Sequence, residues 1–178
     1  KLSKKSKNKV IVKILMMFFD TFNIKELGEG TLEKIVDEGY NDIFKILTAD
    51  KEDLYDIDGL GKTSVTKIYK NIDKGLQNRQ LYEVMKASQI LGRGLGNRKF
   101  KAITDDYPNI ISIYENKGKN HTKKLINTVN GFSDKTSDKI MKGFDDFIVY
   151  YKKLLKIKPN LIEKKQKKTA PTNKKIEK

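Results

Sequence analysis

Four short segments of this 178-residue chain place an apolar residue between two residues that are mostly glycine, directly before a helical stretch. We name them turn 1 (Ile24–Gly28), turn 2 (Ile57–Gly61), turn 3 (Leu91–Gly96) and turn 4 (Val129–Ser133). Their last residues are 33, 35 and 37 positions apart, which indicates an internal repeat. Turns 2 and 3 have both glycines, whereas Glu26 replaces the first glycine of turn 1 and Ser133 replaces the second glycine of turn 4.

Glycine in such a turn permits positive φ angles and leaves no side chain to hold a ligand away from the backbone. The helix that follows begins with unpaired N–H groups and the positive end of its dipole. This combination predicts a site for a DNA phosphate that does not read sequence. A single turn of this kind could equally be a tight connection between packed helices, but four evenly spaced copies favour phosphate binding. The apolar residues expected to point inward and anchor the turns are Leu27, Leu60, Leu95 and Phe132.

The predicted phosphate-contacting residues lie in the turns and at the start of the following helices. The main ones are Gly59, Leu60, Gly61, Lys62 and Thr63 at turn 2, and Gly94, Leu95, Gly96, Asn97, Arg98 and Lys99 at turn 3. The outer turns add Leu27, Gly28, Gly131, Ser133 and Lys135. Because Glu26 brings a negative charge to turn 1, we expect weaker binding there, and we expect turn 4 to be mainly structural. The basic side chains could alternatively be ordinary solvated charges.

The remaining residues offer little for catalysis or metal binding. The chain has no cysteine and one histidine, His121, which excludes cysteine-ligated zinc, disulfides and histidine clusters within it. Asp56 and Asp58 lie just before a turn, where aspartate is common as a cap. The Gly-Lys-Thr that ends at Thr63 resembles the end of a nucleotide-binding loop, but Ile57 stands where that loop needs its first glycine. The sequence therefore predicts no catalytic residue, metal or cofactor in this chain.

The positive charge is concentrated at the two ends of the chain. The net charge is +15, yet residues 10–151 carry 22 basic and 21 acidic residues. Residues 1–9 carry five lysines and no acid, and residues 152–178 carry eleven lysines and two acids. These ends are either solvated linkers or a salt-sensitive, nonspecific aid to DNA binding.

The apolar run Val10–Phe19 is interrupted by Lys13 and is too short to span a bilayer, so we expect a soluble, intracellular protein without a membrane partner.

Apolar residues at helical spacing predict an all-α fold without a sheet. The predicted helices cover residues 10–19, 31–38, 42–47, 63–72, 81–91, 97–104, 120–129 and 136–155. Thr48 is predicted to cap a further short helix. We expect one domain over residues 10–157, between a basic disordered lead (1–9) and a basic disordered linker or tail (158–178).

The turns and their flanking apolar residues resemble the helix-hairpin-helix domain of bacterial-type NAD-dependent DNA ligases. The resemblance runs through residues 22–36, 54–71, 81–103 and 125–144, in the same order and spacing as in that family. It implies four tandem helix-hairpin-helix units that form a compact double domain, with turns 2 and 3 on the DNA backbone across the minor groove. The composition, rich in lysine and poor in arginine, indicates an AT-rich coding sequence, such as that of a divergent viral member.

The resemblance also implies a parent DNA ligase that acts in DNA replication and repair. Adenylation with NAD would occur in its catalytic part, on a lysine in a Lys-x-Asp-Gly motif that this chain lacks, so we expect no catalysis by this chain alone. The other domains of the parent are expected partners besides DNA. Residues 1–9 do not contain the four-cysteine zinc finger that the family has at this place. Two alternatives stay open: a module of another DNA repair enzyme, or a protein-interaction scaffold with degenerate hairpins.

Overall fold

The computed structural model describes residues 2–164, and within them the chain forms ten helices and no sheet. The helices are α1 (Lys4–Thr21), α2 (Glu29–Asp37), α3 (Ile43–Thr48), α4 (Lys51–Tyr55), α5 (Lys62–Gly75), α6 (Leu81–Ser88), α7 (Asn97–Asp106), α8 (Ile110–Thr128), α9 (Asp134–Lys142) and α10 (Phe144–Ile157). The predicted all-α fold is confirmed. Turn 1 connects α1 to α2, turn 2 connects α4 to α5, turn 3 connects α6 to α7, and turn 4 connects α8 to α9.

One hydrophobic core joins the two halves of the chain. Its largest buried side chains include six phenylalanines: Phe18, Phe19, Phe22, Phe100, Phe144 and Phe147. Helix α1 packs against both α2 and α6, while α10 packs against α3, α6 and α9. Because α1 and α10 each contact elements from both halves, the four turns are held on a single packed scaffold.

The basic lead begins the first helix, so the prediction of disorder is wrong for residues 4–9. Ser3 caps α1, because its Oγ accepts a hydrogen bond from the N–H of Ser6 at 3.2 Å. Farther along, Asn8 Nδ2 donates to Asp37 at the end of α2, at 2.9 Å. A serine cap and a helix already anchored by its buried apolar face stabilise this extension, and its lysines therefore lie along a helix.

The predicted boundary at residue 157 is also wrong, because the chain continues into the core beyond α10. Leu161 is fully buried. The N–H of Arg79 donates to the carbonyl of Leu161 at 2.6 Å, and the N–H of Glu163 donates to the carbonyl of Arg79 at 2.9 Å. The single apolar pair Leu161–Ile162 outweighs the lysine-rich surroundings that suggested a tail. The remainder of the predicted tail, residues 165–178, lies outside the described residues.

Two predicted helices and one predicted helix cap differ most from the structure. The stretch 136–155 is two helices, because the chain turns at Gly143, where a β-carbon would collide with the carbonyl oxygen of Ile90. Helix α8 starts ten residues earlier than predicted, at Ile110, and bends at Gly118, where φ is 82°. Thr48 is not a helix cap. It ends α3, and its hydroxyl donates to the carbonyl of Phe44 at 2.7 Å.

Arg79 links the end of α1 to the segment between α5 and α6. Its Nε donates to the carbonyl of Gly75 at 2.7 Å, and its guanidinium also bonds the carbonyl of Phe22. The guanidinium also forms an ion pair with Glu83, whose Oε1 lies 3.4 Å from the Arg79 Nη1. Arg79 therefore has a structural role, because its donors are committed to the protein.

Truncating Leu161 tests the extended boundary. Leu161→Ala should lower the free energy of unfolding by about 2–5 kcal/mol, because it leaves a cavity in the core. Leu2→Ala is the matched control, since Leu2 is 66% exposed, and it should change stability by less than about 0.5 kcal/mol. Urea denaturation followed by circular dichroism measures both. Equal, small effects would show that Leu161 belongs to a tail.

Candidate nucleic-acid interface

The four turns share one backbone geometry. The residue two positions before the N-cap of each following helix has a positive φ angle, which is 72° at Glu26, 78° at Gly59, 81° at Gly94 and 85° at Gly131. The next residue but one is the helix N-cap, which is Gly28, Gly61, Gly96 or Ser133. The predicted positive φ is thus present in all four copies, and turn 1 keeps it although a glutamate occupies the position.

The apolar residue of each turn packs on the core, as predicted. Leu27 is buried, and the other three are partly buried against the core: Leu60, Leu95 and Phe132. The N-cap residue that follows each of these apolar residues is exposed or half-buried, so the turn is held by the core and its N-cap lies at the surface.

The helices after turns 2 and 3 begin without a side-chain cap. The carbonyl of Gly61 accepts the first helical bond, from Val65 at 2.9 Å, and no side chain bonds the first turn of α5. Helix α7 begins in the same way after Gly96, with its first helical bond from Phe100 at 3.4 Å. Neither helix has an acidic residue in its first turn. Such N-termini have unpaired N–H groups and a positive dipole end available to an anion.

Turns 1 and 4 differ because each already has a negative group at the helix start. Glu29 lies in the first turn of α2, and Asp134 lies in the first turn of α9. In turn 4 the Ser133 hydroxyl also caps its own helix, accepting from the N–H of Thr136 at 3.3 Å. A hydrogen bond from Lys123, followed by one from Asn127, holds the pKa of Asp134 below its ordinary value, so this carboxylate is ionised at neutral pH. These groups disfavour a phosphate at either helix start.

Lysines reach across between turns and show which turns are paired. Lys67, on α5 after turn 2, forms an ion pair with Glu26 of turn 1 at 2.8 Å. Lys34, on α2 after turn 1, lies against Gly59 of turn 2. In the second half, Lys139 Nζ donates to the carbonyl of Arg93 at 2.5 Å. Turn 1 is therefore paired with turn 2, and turn 3 with turn 4.

The sequence analysis did not predict these contacts between a lysine of one unit and the turn of the paired unit, although the lysines recur at a regular spacing. Lysine occupies the sixth position after the N-cap in three of the four units, at Lys34, Lys67 and Lys139. The third unit has Ala102 there, and Lys99 takes over the role, since its Nζ donates to the carbonyl of Gly131 at 2.5 Å. The spacing shows the repeat, but only the fold shows which turn each lysine reaches.

The predicted contact residues fall into two groups. Most remain at the surface of their turn: Gly28, Gly59, Gly61, Lys62, Thr63, Gly94, Gly96, Arg98, Gly131, Ser133 and Lys135 are exposed or half-buried. Two predicted side chains point elsewhere. Lys99 spans to turn 4 and lies 4.9 Å above the ring of Phe132, and the Oδ1 of Asn97 is buried without a hydrogen-bond partner among residues 2–164. A DNA contact by the exposed group stays a prediction.

The requirement for a left-handed residue in the turns can be measured by comparing two glycines. Gly131→Ala should destabilise the protein by about 1 kcal/mol, because φ is 85° there. Gly30→Ala lies in α2 with open space around its β-carbon and should stabilise it by about 0.5 kcal/mol. Thermal unfolding of both variants tests the sign difference. A neutral or stabilising Gly131→Ala would contradict the turn geometry.

Residues 2–164 contain no group of three or more histidine, cysteine or acidic residues arranged to hold a metal ion. None of the helices in this range combines the length and apolarity needed to cross a membrane.

Known proteins resemble the chain in sequence. A family model described as a SAM-like helix-hairpin-helix tandem matches residues 20–74, which contain turns 1 and 2. A DNA ligase of Acanthamoeba polyphaga mimivirus is 35% identical over 157 residues, which cover 86% of this chain and 25% of the relative. A DNA ligase of Thermosipho africanus is 38% identical over 93 residues, which cover 50% of this chain and 13% of the relative. The chain thus spans a quarter or less of these relatives. Residues 20–74 match a helix-hairpin-helix family, and most of the chain is similar to part of a DNA ligase.

Proposed function

We propose that the chain binds duplex DNA, nicked or intact, through the phosphate backbone, as the helix-hairpin-helix domain of an NAD-dependent DNA ligase that acts in replication and repair. The observation that carries this proposal is the pair of uncapped helix starts after turns 2 and 3, free of acidic residues. The exposed Lys62 and Arg98 flank these N–H groups. Arginine suits phosphate because its planar donors can bond two oxygens at once.

Main-chain donors suit a protein whose body has almost no net charge. Residues 10–151 carry 22 basic and 21 acidic residues, so a broad positive surface does not drive binding. Two fixed phosphate sites hold a duplex in one orientation without contacting base edges. Turns 2 and 3 belong to different pairs that are held by one hydrophobic core. We place this contact across the minor groove, on the strength of the ligase resemblance.

The ligase part of the proposal rests on the relatives. Both are named DNA ligases, and the chain spans only part of each. The chain has no Lys-x-Asp-Gly motif, so we assign adenylation, and the use of NAD, to another part of a parent chain. This domain would hold the DNA while the other domains of the parent carry out ligation. Such a parent would act inside the cell, where its DNA substrate is found.

A protein-interaction role is the second candidate. The acids at the helix starts of turns 1 and 4, Glu29 and Asp134, favour it for those two turns, because an acidic helix start repels phosphate and can accept a basic side chain. A module of another DNA repair enzyme would bind DNA in the same manner as a ligase domain.

Blocking the two uncapped helix starts tests the DNA-binding proposal. A side chain fits at Gly61 and Gly96 without strain, because neither has a positive φ and no atom lies within 4 Å of a β-carbon there. Gly61→Leu with Gly96→Leu should keep the fold but hold phosphate away from the amides. Each hydrogen bond to a charged group contributes about 1.5–3 kcal/mol, so affinity for a nicked duplex should fall at least about tenfold. Fluorescence anisotropy measures the affinity, and circular dichroism verifies the fold.

The control is Asn120→Leu, which adds the same side chain at an exposed position of α8 outside the four turns. It should leave affinity unchanged. Two further variants measure how much the basic ends contribute to DNA affinity. In one, the four lysines at 4, 5, 7 and 9 are replaced by glutamine, and in the other, residues 165–178 are deleted. Deletion of residues 1–9 is unsuitable because it removes the start of α1. Unchanged affinity in the double-leucine variant, with loss in the end variants, would contradict the turn mechanism.

A further inference from the structure

We propose that the pair formed by turns 1 and 2 binds one DNA phosphate and not two. The phosphate lies at turn 2 and is bound there by Lys34 from the opposite unit, while Glu26 occupies the equivalent position at turn 1. This inference rests on the proposed DNA-binding function and specifies its site.

Lys34 lies directly against the left-handed residue of turn 2. A β-carbon at Gly59 would collide with the Nζ of Lys34 and would lie 3.1 Å from its Cε and 3.6 Å from its Cδ. Gly59 therefore has two roles: it adopts a φ of 78° and it makes room for the lysine. Among residues 2–164, Lys34 has no ion-pair partner. Its exposed ammonium is thus placed next to the uncapped start of α5, where it can pair with a phosphate.

Lys67 holds the equivalent position relative to turn 1, but its charge is already paired. Like Lys34, it is the sixth residue after its N-cap glycine and reaches the left-handed residue of the opposite turn. That residue is Glu26, whose Oε1 lies 2.8 Å from the Lys67 Nζ. A carboxylate matches a phosphate in charge and in its acceptor oxygens, so Glu26 takes the place that a DNA phosphate would take. Both side chains are about half exposed, so the pair contributes little to stability.

Glu26 holds this position in a backbone conformation that glutamate rarely adopts. Its φ of 72° lies in the left-handed region, which is unfavourable for residues with a β-carbon. The neighbouring Glu29 adds a second negative charge at the start of α2. The two units of this pair therefore have the same backbone but opposite charge at the site.

The second pair differs from the first in where its lysine lies. Lys139, from the unit of turn 4, donates to the carbonyl of Arg93 at 2.5 Å and packs its side chain against Gly92. No atom lies within 4 Å of a β-carbon placed at Gly94, the counterpart of Gly59. The proposal of a phosphate contact by a lysine of the opposite unit is therefore limited to turn 2.

The salt dependence of DNA affinity counts these phosphate contacts. Each contact neutralised by a cation contributes about 0.9 to the slope of log affinity against log salt for duplex DNA. Lys34→Gln should reduce the slope by about 0.9 and weaken binding about fivefold in 0.1 M salt. Lys67→Gln is the matched control, at the same position of the other unit, and should change the slope by less than about a third of that amount. Lys34→Arg should retain the wild-type slope.

The double variant Glu26→Gln with Glu29→Gln removes both negative charges at turn 1 and keeps a β-carbon at the position with positive φ. It should free Lys67 and increase the slope by about 0.9. Adding Lys67→Gln to it should abolish the gain. All measurements use the full 178-residue chain and fluorescence anisotropy on one nicked duplex.

The outcomes separate this inference from the broader proposal. Salt-sensitive binding that is lost on blocking Gly61 and Gly96, together with equal effects of Lys34→Gln and Lys67→Gln, would uphold backbone binding and overturn the assignment of Lys34. An unchanged slope in the variant with both Glu26→Gln and Glu29→Gln would overturn the proposal that acidic residues keep phosphate from turn 1. No DNA binding by the wild-type chain would overturn both.

Discussion

A positive φ angle two residues before a helix N-cap sets the geometry of turns 1 to 4. The left-handed residue reverses the chain within a few positions, the next residue turns its apolar side chain into the core, and the one after it begins a helix at the surface. The four φ angles lie between 72° and 85°. Because the constraint falls on the backbone, it is kept in turn 1, where glutamate replaces glycine. The identity of the residue then decides what the turn can bind.

The four turns have the same backbone conformation but different residues at the start of the following helix. Turns 2 and 3 have glycine N-caps and helix starts without acids, while turns 1 and 4 have Glu29, Asp134 and the self-capping Ser133. We propose that each turn that binds a phosphate is paired with a turn that does not, and that this second turn supplies a lysine and packing support. A repeat without a phosphate site would then still be needed for the function of its neighbour.

Local signals in the sequence predicted the repeat, the all-α fold, the positive φ positions and the inward apolar anchors, because each depends on a few adjacent residues. The predictions failed where distant contacts decide the structure. Leu161 is buried by pairing with Arg79, far away in the chain. Gly143 interrupts a strongly helical stretch because the backbone of Ile90 packs there. The cross-turn lysines have a visible period, but their partners depend on how the units pair in space.

The central claim is that DNA phosphates meet the main-chain N–H groups of α5 and α7 and not those of α2 and α9. The second residues of these four helices form a matched set: Thr63, Arg98, Gly30 and Lys135. Titrating an isotope-labelled chain with a short duplex and following their amide resonances by NMR tests the claim directly. We predict large shifts at Thr63 and Arg98 and small ones at Gly30 and Lys135. Equal shifts at all four, or shifts confined to the lysines of α1, would contradict it.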